Sequence, residues 1–473
     1  MKKLLPTPRH HAGAAASLLA ALAVLAGGPA PAAPAPGSAD CAALPPLPTP
    51  PPPGHPTRHE LPRYGALADD DRPDDAAFER ALAALKPGDW LVLPPGRYLQ
   101  AGPLRITVPG VTVWGPGATL HALSAERQTF ALAADGVRLY GLRLTAVTDR
   151  RRGNSESVRL TIGPGRSASG AELPVDGNLV RGVTIESDAA RGLPHGGSSG
   201  GIGVFKASRF TIAENRVRDT LADGIHVTSG SHDGRIVANE VSASGDDAIA
   251  TVSYLGEDGL ARLRAGQEAI AGRQVHDVLI QANRVGGNAW GRGIGIVGSR
   301  RISVRSNTIS GVGHAAGVLV AQEGSYHTPG PGEVLIEDND IREIQTGSGF
   351  PSLRPRTGHG AIEIHTYGNP ASDIANPWVA SRLALRGVMV RGNRIEGVGA
   401  DGIRVGAGSQ PGMVGEVRLL GNQVRGQRGQ AIALALPGAV SLLCPPGDTA
   451  SPGCAAALAE HDLGARLDCS RLP

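Results

Sequence analysis

The chain has 473 residues, of which 67 are glycine and 3% are aromatic, and its formal net charge is only +3. That charge, with no basic cluster interleaved with aromatics, argues against a nucleic-acid surface. So much glycine suits narrow coils with many tight turns better than a wide globular core.

The first 36 residues read as a secretion signal. Lys2, Lys3 and Arg9 supply a basic region, residues 12–26 an apolar one, and Gly28-Pro29-Ala30 small-residue cleavage sites. These features predict a periplasmic or secreted protein with no membrane span after cleavage, because the apolar stretch is short for a bilayer. Residues 37–61 are Pro-rich and predict a loose, extended lead-in. Residues 62–440 form the main domain, and 441–473 a tail. Cys41, Cys444, Cys454 and Cys469 lie near the ends without zinc-ligand spacing. In an exported chain they predict disulfides, with three pairings open.

Residues 62–103 lack the repeat pattern of the later chain. Asp69, Asp70, Asp71, Asp74 and Asp75 precede a helical stretch at 76–85, then a strand at Trp90-Leu91-Val92-Leu93 and the run Pro94-Pro95-Gly96-Arg97-Tyr98. A helix here covers the open end of a stack of strands, which otherwise exposes its core and its edges. The acidic run reads as turn and capping groups rather than as a calcium site.

From about residue 130 a phrase recurs: GIGV (201–204), GIHV (224–227), AIAT (248–251), GIGI (293–296), GVLV (317–320), AIEI (361–364), GIRV (402–405) and AIAL (431–434). Between copies, an apolar alternation ends in asparagine: Asn215, Asn239, Asn283, Asn307, Asn339, Asn393 and Asn422. Period-two alternation means strands, and repetition of several strands per period means a solenoid of stacked rungs. Equivalent slots then become neighbours about 5 Å apart. The regular asparagines predict an internal ladder that satisfies turn backbone.

Residues 63–98 and the repeats together resemble the pectate-lyase-like superfamily. The resemblance implies an all-β fold, a right-handed parallel β-helix with an N-terminal helical cap. It implies fold more than activity, since that superfamily includes glycosidases, lyases, epimerases, transferases and tailspikes.

The slot before each phrase holds Asp223 and, one rung later, Asp247, with Asp246 beside it. Like charges this close raise at least one pKa and share their titration. One protonated carboxyl can then protonate a glycosidic oxygen while an ionised neighbour activates water. His226 faces outward beside them and can hold a sugar hydroxyl. The trio resembles that of the polygalacturonase-like glycoside hydrolases, whose Asp-Gly and Gly-Asp-Asp motifs match Asp223 and Asp246-Asp247. The resemblance implies Asp246 as general acid, Asp223 and Asp247 as the pair that activates water, and inversion at the anomeric carbon. The chain departs from that pattern at Leu221-Ala222, at His226 and at Trp290-Gly291-Arg292-Gly293. It also lacks the Arg-Ile-Lys triplet, so the polygalacturonate substrate does not carry over.

Inserts at roughly 254–273, 322–333, 366–384 and 406–415 follow the same strand, and another precedes AIEI at 343–358. They predict walls of one cleft beside the trio. Candidate sugar contacts are Tyr254, Arg292, His314, His359, Glu363 and His365, with Trp290, Tyr326, Phe350, Tyr367 and Trp378 as further aromatics. The histidine cluster, with His327, can bind sugar hydroxyls or a divalent metal; no metal is assigned and no cofactor expected, calcium entering only for a lyase. The reading is an exported glycoside hydrolase, a monomer acting on a poly- or oligosaccharide. The alternatives are a polysaccharide lyase or uronate epimerase, and a non-catalytic adhesin or carbohydrate-binding solenoid.

Overall fold

The computed structural model describes residues 44–146, 150, 151, 153–187, 199–287, 291–347 and 355–443. The predicted signal, all four cysteines, Trp290 and Phe350 lie outside them. Among the described residues, no helix is long and apolar enough to cross a membrane.

The chain coils into three long parallel sheets, each coil giving one strand to each. One coil runs Thr211–Ala213, Arg216–Thr220, Ile225–Thr228. The next runs His232–Val237, Glu240–Ser244, Ile249–Val252, and each strand pairs in parallel with its predecessor. This is the expected parallel β-helix. The recurring phrase forms the third strand of each coil. Ile202, Ile225, Ile249, Ile294, Val318, Ile362, Ile403 and Ile432 stand in one register column. Alternation decides orientation: Ile225 and Val227 are fully buried inside the coil, and His226 between them faces out. We call this third sheet the site sheet.

The asparagines form the predicted ladder. Each Nδ2 donates to Oδ1 of the next asparagine, at 2.9–3.0 Å from Asn215 through to Asn422. The same Oδ1 accepts the preceding asparagine's backbone N–H. The second Nδ2 proton goes to a strand carbonyl, such as Ile236 O for Asn283. The residue before each asparagine turns the chain with a positive φ, as Glu214, Ala238 and Ala282 do. The ladder therefore pairs amide groups that a buried turn would otherwise strand.

The cap is helix α1, Asp75–Ala84, which buries Ala77, Phe78 and Ala81. The acidic run is used as expected, for backbone bonds. Asp69 accepts from Arg97 N, Asp74 from Leu67 N and Leu99 N, and Asp75 from Ala101 N and Gly102 N. The lead-in is less loose than its composition suggests. Leu44 packs on Ala213, Val237 and Leu279, Arg181 donates to Pro45 O, and Arg58 donates to Pro51 O at 2.6 Å.

The inserts form α2 (Gly256–Arg264), a short turn at Gly324–Tyr326, α3 (Ala371–Ala375) and α4 (Pro377–Leu383). Arg264 clamps the buried Asp373 through two bonds of 2.7 and 2.8 Å, tying α2 to α3. Ala250, Val252, Val297, Leu319 and Ala321 are buried although they alternate with the inward residues. That outer face of the site sheet is thus covered on the C-terminal side of the trio.

The ladder yields a stability prediction. Asn283→Ala takes the Oδ1 acceptor from the Asn239 N–H and Nδ2, at about 1–3 kcal/mol for each buried group left unpaired. The urea midpoint should fall steeply, and Asn422→Ala, at the ladder's end, should lower it less.

Candidate active site

Asp223 and Asp247 occupy the same slot on adjacent rungs, at the turn entering the site sheet. The glycine after Asp223 is required there: a Cβ on Gly224 would lie 2.4 Å from Val241 Cγ1. The slot carboxylate has a structural task. Asp223 Oδ1 accepts the Asp247 N–H at 2.9 Å, Asp247 Oδ1 accepts the Arg292 N–H at 2.7 Å, and Asp401 Oδ1 accepts the Gln430 N–H at 2.8 Å. Asp401 is thus a turn residue of the same kind. Asp246 stands apart. Among the described residues its side chain meets no backbone amide and instead meets the Arg151 guanidinium at 2.7 Å.

The three carboxylates converge, with one oxygen from each within 4.8 Å of the others. By spacing they can share a cation, but guanidinium groups already lie on two of them: Arg151 on Asp246, and Arg292 Nε on Asp247 at 3.0 Å. His226 Nδ1 meets Asp223 Oδ2 at 2.5 Å. Burial pulls Asp223 upward, but the His226 bond and charge, with Arg151 and Arg292, outweigh it and hold this carboxyl below the usual range. Asp247 goes the other way. Burial pushes it well above the usual range, Arg292 opposes the shift, and Asp246 and Asp223 add to it. The carboxyl driven to hold a proton at rest is therefore Asp247, whereas the sequence resemblance puts it on Asp246. Burial of Asp247 accounts for the difference; Arg151, which carries no signal in the sequence, pairs with Asp246.

Tyr254 approaches the trio as expected. Burial of its hydroxyl, then the negative field of Asp223, Glu323, Asp247 and Asp246, raises its pKa, so it stays protonated. Arg292 is a correction. Its guanidinium is not open to a sugar but half-buried and engaged between Asp247 and Glu323, whose Oε1 is 3.5 Å from Nη2.

The larger cavity is not formed by the inserts. A cavity of about 420 Å³ opens on the N-terminal side of the trio, with Asp223 and His226 at one end and Arg105, Asn154, Ser155, Thr161, Arg166, Gly203 and Phe205 among its other walls. None of the inserts lines it among the described residues. A smaller cavity, about 240 Å³, lies among the inserts, lined by Arg264, Gln322, His327, Asn369 and Asp373. Trp378 is not a free platform, since Arg382 covers its ring at 3.1 Å.

The second cluster is real but closed. Glu363 is fully buried and accepts from Arg404 Nε at 2.7 Å and Gly360 N at 2.9 Å, with His365 Nδ1 at 3.0 Å. His359 stacks edge-on against His365, with centroids 5.4 Å apart, and burial lowers its pKa to about 4. His314 sits beside this cluster, its carbonyl accepting the Thr357 N–H. His327 is separate, at the smaller cavity. The cluster stands three strands beyond Asp247 on the site sheet, about 14 Å away.

Opposite shifts predict opposite stability effects. Ionising Asp247 costs stability, and the cost grows as pH rises from the unfolded value of 3.8 through the raised folded one. Asp223 contributes stability at neutral pH and loses it as pH falls through its lowered value. In thermal unfolding at neutral pH, Asp247→Asn should hold or raise the midpoint, and Asp223→Asn should lower it.

Residues 165–376 match a family model described as a right handed beta helix region. No curated protein matches. Among solved structures, the chain is similar to the catalytic domain of an α-1,3-glucanase in complex with tetrasaccharides. Identity is 15%, 88% of this chain and 70% of that one are covered, and the TM-score is 0.58. It is also similar to the Dettilon tailspike protein (14% identity, 80% and 68% covered, TM-score 0.51). A third is the A-module of a mannuronan C-5 epimerase from Azotobacter vinelandii (16% identity, 82% and 99% covered, TM-score 0.50). These likenesses establish the right-handed parallel β-helix fold.

Proposed function

We propose that this right-handed parallel β-helix protein is a glycoside hydrolase whose acid and base are the trio Asp223, Asp246 and Asp247. The observation that carries the reading is three carboxylates converging within 4.8 Å, one of which, Asp223, lines the end of a cavity of about 420 Å³. A binding solenoid has no use for such a concentration of like charge, which raises Asp247 at a cost to stability.

The roles follow from burial. Asp247 is 3% exposed and tied to Arg292, so it stores the proton rather than delivering it. Asp246 is the more open partner, with 16% of its side chain exposed and a guanidinium rather than the sheet to hold it. A sugar that displaces Arg151 removes the charge balancing Asp246, and the shared proton passes to it and on to the glycosidic oxygen. Asp223, ionised against His226, orients or attacks at the anomeric carbon. An inverting pair of carboxyls stands roughly 6.5–9.5 Å apart to leave room for water, and the closest oxygens of the trio lie within 4.8 Å. Inversion therefore gains no support from the geometry, and the anomer first formed, read by NMR, decides it.

The fold is shared with an epimerase module, so the products decide the reaction class. The intact protein, incubated with α-glucans, mannuronan and pectic polymers, should release reducing ends without the ultraviolet absorbance of an unsaturated uronate. That absorbance would make it a lyase, and C5 inversion without cleavage an epimerase. Asp246→Asn should keep its circular dichroism spectrum and lose about 10²–10⁴ in turnover at saturating substrate. Near-normal turnover in that folded variant would sink the assignment.

A further inference from the structure

The floor of the larger cavity is the outer face of the site sheet. Its register column runs Arg105, Ala131, Thr161, Gly203 and His226. Four strand steps make it about 19 Å long. One position on it is bare for a visible reason. A Cβ on Gly203 would lie 2.6 Å from Phe205 Cε2 and 3.0 Å from Cζ. The Phe205 ring therefore folds back over Gly203, one strand from His226.

Phe205 is not core. It is partly exposed, lies outside the main hydrophobic cluster, and lines the cavity together with Asp223 and His226. The fold gives up a side chain at Gly203 to set an aromatic ring on the cavity floor. Asn154, Ser155 and Ser229 bring polar groups to the same cavity. A pyranose presents the same division, an apolar C–H face and a rim of hydroxyls, and an aromatic ring with nearby polar groups is complementary to it.

We propose that Phe205, laid over Gly203, is the stacking platform of the sugar subsite adjoining the trio on its N-terminal side. This rests on the glycosidase reading for the identity of the ligand. It places one residue of the glycan over Phe205 and the scissile bond beside His226 and the trio. The inserts on the C-terminal side, with Tyr254, then serve the other side of that bond.

The test measures binding apart from turnover. In the full-length Asp246→Asn protein, calorimetry is run with tetrasaccharides of α-1,3-glucan, mannuronan and galacturonan. Added Phe205→Ala should weaken the tetrasaccharide that binds best by about 10-fold. Phe205→Trp should retain affinity. Gly203→Ala should weaken it as well by displacing the ring, with an unchanged unfolding midpoint as the control. Unchanged affinity in both folded alanine variants would overturn the platform, even with the trio proven catalytic. Weakened binding together with normal turnover in Asp246→Asn would instead keep the platform and remove the hydrolase mechanism. If no tetrasaccharide binds, both proposals fall.

Discussion

Everything in this molecule depends on parallel, in-register stacking of one coil on the next. A parallel ladder pairs each strand with its neighbour at a fixed offset. A residue's slot in the repeat therefore fixes both its height and its direction. Inward slots become a continuous apolar column, and turn slots become the asparagine ladder. The slot before the site strand becomes a column of acceptors, each holding the next coil's amide. Asp223 and Asp247 reach each other through this last device. The geometry of the trio is here a by-product of turn geometry, modified by one extra carboxylate at Asp246.

Convergence of three acids needs compensation, and the compensation arrives from distant sequence. Arg151 comes from the coils below, Arg292 from the rung above, and His226 from the strand that Asp223 itself begins. The three do not act alike. His226 and the arginines together hold Asp223 ionised, whereas burial overrides Arg292 at Asp247. The site thus separates its carboxyls into a charged member and a protonated one, as acid–base chemistry requires.

Local pattern discloses much of this. The isoleucine column, the asparagine ladder and the pairing of Asp223 with Asp247 all come from period and alternation, and the capping helix from the helical stretch that breaks the pattern ahead of them. The hidden part depends on side chains that leave their slots. Arg151 lies outside the repeat phrase, and no spacing rule links it to Asp246. Phe205 reads as an ordinary strand-end residue, because the bareness of Gly203 has meaning only once the ring is seen above it. That the inserts share one side is legible from the strand they all follow. Their effect is not, since they cover the sheet beyond the trio and leave the larger cavity on the opposite side. Arg292 escapes the sequence for the same reason: a cation beside two carboxylates in a covered region becomes a strut.

The asparagine ladder has a direction. From Asn215 to Asn393 each Nδ2 donates toward the C-terminal neighbour, so the amide dipoles line up along the helix axis and polarise one another. The ladder does not register how many coils it contains, only that each asparagine finds another one coil on. Loss or gain of a whole coil preserves it, whatever loop that coil carries, whereas a single-residue slip breaks it. Length in such a protein is quantised: it grows and shrinks by coils, and loops of any size can hang from them without disturbing the axis.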